Sequence, residues 1–117
     1  MLLASFLFYT CTSPVSPAPS DLVPDQKMVS ILIDLHVAEA QVERLGLITD
    51  SGAIHYKNLQ QAIFRKHKIK EKEFYKSYDY YLHNVSELDK IYEKVVDSLS
   101  VLEVEFKEPK DSLKLSE

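Results

Sequence analysis

Proline and glycine fall only at the margins and joints of this chain. The five prolines are Pro14, Pro17, Pro19, Pro24 and Pro109, and the two glycines are Gly46 and Gly52. Proline inside a helix removes a donor and clashes with the preceding turn, and glycine there costs backbone entropy. A chain that keeps both out of its long middle is open to continuous helix. Two glycines are also too few to build a phosphate-cradling loop.

The apolar residues between the joints recur at helical spacing. Met28, Ile31, Leu32, Leu35, Ala38, Val42 and Leu45 form one stripe, which starts near Pro24 and stops at Gly46. Ile33 and Val37 lie off that stripe, so this helix is expected to be covered on more than one side. Thr49, Asp50 and Ser51 are candidate caps for a second helix. Its stripe reads Ile54, Leu59, Ala62 and Ile63, flanked by Tyr56 and Phe64, and it ends around His67-Lys68. Lys70-Glu71-Lys72-Glu73 opens a third helix, striped by Phe74, Tyr78, Tyr81 and Leu82 and ending at His83-Asn84. Asn84-Val85-Ser86-Glu87 has the spacing of a capping box. Leu88, Ile91, Tyr92, Val95, Leu99 and Leu102 carry the fourth helix to about Glu105. The alternating run VLEVEF at 101–106 could form a short strand, but helix continuation is favoured. The fold class predicted is all-α: a small bundle of about four helices over residues 21–107.

The ends differ in composition. Residues 1–10, MLLASFLFYT, are uncharged, mostly apolar and far shorter than the roughly 20 residues a membrane helix needs. They lead to Cys11, the sole cysteine, and residues 11–20 continue as an uncharged Pro/Ser spacer. An apolar run ending at a cysteine before such a linker looks like a bacterial lipoprotein signal, although it has no basic n-region and Phe8 and Tyr9 are bulky for that role. The expectation is cleavage before Cys11 and lipidation of Cys11, whose several acyl chains would anchor stably where one chain would not. Residues 108–117 are expected to be a disordered polar tail.

The formal net charge is −4, which argues against a nucleic-acid partner. The basic run Arg65-Lys66-His67-Lys68, with Lys70 and Lys72, reads as a solvated helix end. No H-E-x-x-H, C-x-x-C or nucleophile-elbow pattern occurs, so neither a metal nor a cofactor is expected and the chain does not read as an enzyme. The best polar constellation is Asp34, His36 and Glu39. His36 and Glu39 are three apart and can meet, whereas Asp34 points about 160° away from His36. Three ligands for one metal cannot converge from that helix alone. A polar network that fixes packing, or a partner-contact face, is the stronger reading. Tyr75 and Tyr80 cannot share one narrow stripe with Tyr78 and Tyr81, so one of them is a candidate contact residue.

Three longer segments are distinctive in their order and spacing. They are Val23-Pro24-Asp25-Gln26-Lys27-Met28 with Ile31-Leu32-Ile33-Asp34-Leu35-His36-Val37-Ala38-Glu39-Ala40, then Ile63-Phe64-Arg65-Lys66-His67-Lys68-Ile69, then Leu88-Asp89-Lys90-Ile91-Tyr92-Glu93-Lys94-Val95. Together they resemble the Bacteroidota lipoprotein family catalogued as domain of unknown function 4296, over roughly residues 20 to 100. The resemblance implies an outer-membrane lipoprotein of a Gram-negative envelope and supplies no catalytic residue. Lys68 departs from the glycine that the family tends to carry after the histidine, and Val85 from the proline common after the asparagine. The functional expectation is a lipid-anchored adaptor or accessory subunit facing the periplasm, bound to an envelope complex such as outer-membrane protein assembly or transport machinery. The alternative is a periplasmic ligand-binding or enzymatic bundle using Asp34, His36 and Glu39.

Overall fold

The computed structural model describes residues 17–46 and 50–107, with side chains to Glu105. The expectations for Cys11, the apolar start and the 108–117 tail lie outside the described residues. Four helices occur in order: α1 Asp25–Arg44, α2 Asp50–Lys66, α3 Glu71–His83 and α4 Val85–Lys107. The alternating 101–106 run is helical, and there is no strand among the described residues.

α1 is the central element, packed against α2 on one side and α4 on the other, while α3 packs on α4. Asp25 lies near Lys94, and Gln41 and Arg44 lie near Leu99 and Leu102, so α1 and α4 run in the same direction. α3 crosses the N-terminal end of α1, as the bonds from Ser77 and Tyr81 to Val23 show. Met28, Ile31, Leu32, Leu35, Phe64, Phe74, Tyr81, Ile91 and Val95 form one buried cluster. Fully burying such side chains stabilises by about 1.5–3 kcal/mol each.

Several stripe assignments shift in register. In α1, Leu45 is exposed and Val29 is buried, while Ile33 packs against the core from off the stripe. In α2, Ile54 is 64% exposed and Ala62 is also in solvent; Phe64, Ile63 and Tyr56 face inward. At about 100° per residue, Ile54 stands opposite Tyr56 and Ile63, and the larger aromatic surface sets the buried face. Asp50 and Ser51 are helical rather than capping, Thr49 lies outside the described residues, and Gly52, read from the sequence as lying at a joint, is buried inside α2. In α3, Leu82 is 49% exposed and Ser77 takes a core position.

The joints explain where helices stop. At the end of α2 the Lys68 N–H donates to the Arg65 carbonyl and the Ile69 N–H to the Phe64 carbonyl. That is the paired bonding of a Schellman motif, and buried Ile69 and Phe64 supply its apolar contact. Lys68 has φ 51°, the left-handed region. α1 ends similarly at Gly46, with φ 64°. α3 starts with the Lys70 N–H donating to Glu73 Oε2 at 3.2 Å. Asn84 separates α3 from α4, and its carbonyl accepts from Glu87 and Leu88. Its side-chain amide donates back to the Tyr80 carbonyl at 2.8 Å, so it closes α3 as well as opening α4.

Candidate functional site

The residues singled out in the sequence divide into two places. Asp34 points from α1 toward the C-terminal end of α2. Lys66 Nζ donates to its Oδ2 at 2.7 Å and His67 Nε2 at 2.6 Å. Burial would raise the Asp34 carboxyl, but the bonds from Lys66 and His67 outweigh it and hold the group below its ordinary 3.8. His67 can reach because the helix ends there: its side chain is only 14% exposed. The network ties the middle of α1 to the end of α2.

His36 and Glu39 lie on a different face. His36 Nδ1 stands 3.6 Å from Glu39 Oε2, too long for a direct hydrogen bond. The His36 ring meets Tyr92 of α4 edge-on, with centroids 6.2 Å apart. Asp34 therefore does not join His36 and Glu39, as the helical angle predicts. No group of three or more potential metal ligands occurs among the described residues.

The tyrosines also separate. Tyr75 is 46% exposed, and its hydroxyl accepts from Gln60 Nε2 at 3.1 Å. Tyr80 is half-buried against the core, edge-on to Tyr81 with centroids 5.5 Å apart. Tyr78 and Tyr92 share a hydrogen bond at 3.0 Å, linking α3 to α4. Burial first, and then this bond, push the Tyr92 phenol up to about 12.

One arrangement escaped sequence reasoning. Ser77 Oγ accepts from the buried Val23 N–H at 2.9 Å, and the Tyr81 hydroxyl donates to the Val23 carbonyl at 2.8 Å. Outside this clasp, Lys76 Nζ bonds Asp21 at 2.6 Å. Ser77 and Tyr81 stand one turn apart, so one face of α3 holds the segment leading into α1. The signal was a serine in register with Phe74 and Tyr81. A lone hydroxyl reveals no distant partner.

Among the concave surfaces of the described residues is a groove of about 320 Å³ between α1 and α4, lined by His36, Val37, Ala40, Gln41, Arg44, Leu99, Leu102 and Glu103. A second, more open cleft of about 620 Å³ lies on α4 at Asp89, Tyr92, Glu93, Val96 and Asp97. Neither brings together a nucleophile and a base; both offer side chains for contact.

No curated protein and no solved structure matches the chain. The family model for the domain of unknown function DUF4296 matches residues 19–105, from just before the Val23 clasp to near the end of α4. With α1, α2 and α3 wholly inside the match and α4 inside it but for its last two residues, the chain belongs to the DUF4296 family.

Proposed function

We propose that the protein is a non-enzymatic, lipid-anchored adaptor of the bacterial cell envelope. Cys11 carries the lipid, the Pro/Ser spacer gives reach, and the helical bundle binds a larger envelope protein from the periplasmic side of the outer membrane. The supporting observation is where the spacer meets the fold. Residues 21–23 are fastened to α3 by both backbone groups of Val23 and by the Asp21–Lys76 pair. Such a fastening fixes the point on the bundle from which the tether leaves, next to the N-terminal end of α1. Tethering also raises local concentration, so a modest contact surface suffices. Outer-membrane protein assembly or transport machinery is the partner class that the lipoprotein resemblance favours.

The test is intact mass spectrometry of the protein extracted from membranes of its own host, expressed from the full-length gene. A mature chain beginning at Cys11 with added acyl mass is expected. An unacylated chain in the soluble fraction would remove the anchor and the adaptor with it.

A further inference from the structure

The outer face of α4 carries a row of exposed carboxylates, flanked by Lys90 and Lys94. Asp89, Glu93 and Asp97 stand on successive turns, a like-charge spacing that disfavours the helix. None of the three has an ion-pair partner among the described residues, whereas Lys94 on the other flank reaches Asp25 at 3.4 Å. Val85, Val96 and Val104 share the acidic face and are 57 to 60% exposed. At about 100° per residue, Leu99, Tyr92 and Val96 lie side by side, with the carboxylates on their outer flank. The Tyr92–His36 contact joins this strip to the α1–α4 groove. Val37, the off-stripe valine of α1, lines that groove. A mainly apolar trough, with Arg44 and Glu103 also in its lining, thus runs beside an acidic rim.

We infer that this seam docks an amphipathic helix of a partner protein, its apolar face in the α1–α4 groove and its lysine or arginine flank against Asp89, Glu93 and Asp97. Helix-in-groove recognition needs this pairing of apolar trough and polar rim. Charge complementarity selects the occupant: an anionic membrane surface is repelled by the rim, and a neutral helix leaves three carboxylates unanswered. The inference rests on the adaptor reading for the existence of a partner, not for the position of the seam.

The probe is a leucine–lysine amphipathic peptide of about five helical turns, with a scrambled peptide of the same composition as control. Binding to the isotope-labelled full chain is followed by amide shifts and by fluorescence anisotropy. Shifts along residues 85–104 and 36–44 are expected, with affinity falling as salt rises. Charge reversal in Glu93→Lys with Asp97→Lys weakens binding at least about tenfold. Ala40→Glu fills the exposed rim of the groove and weakens binding several-fold despite its added negative charge; it also covers failure of the double variant to fold. Shifts confined to the α2–α3 turn, equal binding of the scrambled peptide, unchanged affinity in both variants, or a dimer of the free chain that occupies the seam would each overturn the proposal. Capture from solubilised host membranes separates it from the adaptor reading. An envelope partner held equally by wild type and double variant overturns the seam alone. Capture of no envelope partner by either counts against the adaptor, while the peptide experiment still decides the seam.

Discussion

The two ends of the bundle are built to different standards. At the end where α3 crosses α1, Phe74, Tyr81, Ile69 and Phe64 are buried, and both polar groups of Val23 are bonded. Toward the other end, α1 and α4 continue without α3. Leu99 and Leu102 are only half-covered, and Val101 and Val104 stand in solvent. The closed end spends its apolar surface on stability, and the open end keeps some for contact. Substitutions at the two ends should therefore differ in what they damage.

The sharpest contrast is Phe74→Ala against Leu102→Ala. Phe74 is buried against Phe64, with ring centroids 5.1 Å apart, and stacks on Tyr78 at 5.8 Å. Its truncation should cost about 3–5 kcal/mol in urea unfolding. Leu102 is half-exposed and can be replaced by water, so its truncation should cost about 1 kcal/mol. Equal losses would mean that the open end is covered by something the bundle does not show, and the comparison would collapse.

Ser77→Ala tests the clasp. The hydroxyl is fully buried, at 0% exposure, and its loss leaves the Val23 N–H without an acceptor. The expected cost is about 1–3 kcal/mol, the penalty of a buried unsatisfied donor. Hydrogen exchange gives a more specific reading: the Val23 amide should lose protection while α4 amides near Val104 do not change. A uniform loss of protection would show that the clasp is merely part of the core.

Asp34→Asn probes the tie between α1 and the end of α2. Lys66 is two-thirds exposed, so the charged-pair value must be discounted, and about 1 kcal/mol is expected at neutral pH. The pH dependence has a fixed sign. The folded protein binds the Asp34 proton more weakly than the unfolded chain, because Lys66 and His67 favour the carboxylate over the opposing effect of burial. The contribution is present above the ordinary value of 3.8 and is lost as the pH falls through and below it. The acid limb of a stability–pH curve should therefore flatten in the variant. An unchanged acid limb would show that the bonds to Asp34 do not survive in solution.

How much of this was legible in the sequence follows from the range of the forces involved. Helix number is a local matter of proline, glycine and periodicity, and that reading agrees with the four helices seen, although Gly52 lies inside α2 and not at its joint. Faces are less local. The stripe through Ile54 and Ala62 obeys helical spacing, yet α2 turns Phe64 and Ile63 inward, because α1 and α3 present aromatic and aliphatic surface there. The geometry of one helix separates Asp34 from His36, but no spacing rule pairs Asp34 with His67, 33 positions away. Ser77 and Val23 are 54 positions apart, and only the folded topology brings them together.

The smallest effect has the opposite sign. Lys68 holds φ 51° at the turn that closes α2, where a side chain pays for a left-handed backbone and glycine does not. The Schellman bonds from Lys68 and Ile69 use backbone atoms only, so Lys68→Gly keeps them. The lysine side chain is exposed and forms none of the ion pairs that tie neighbouring Lys66 to Asp34. Removing it should therefore relieve strain without losing a contact, raising stability by about 1 kcal/mol, less the small entropy gained by the unfolded chain. Thermal unfolding reads this as a rise in Tm. Because the turn lies at the closed end, the gain should leave peptide binding at the α1–α4 seam unchanged. A fall in Tm would mean that the lysine stem covers apolar surface worth more than the strain it imposes. A change in seam affinity would mean that the two ends of the bundle are coupled, and the division drawn between them would fail.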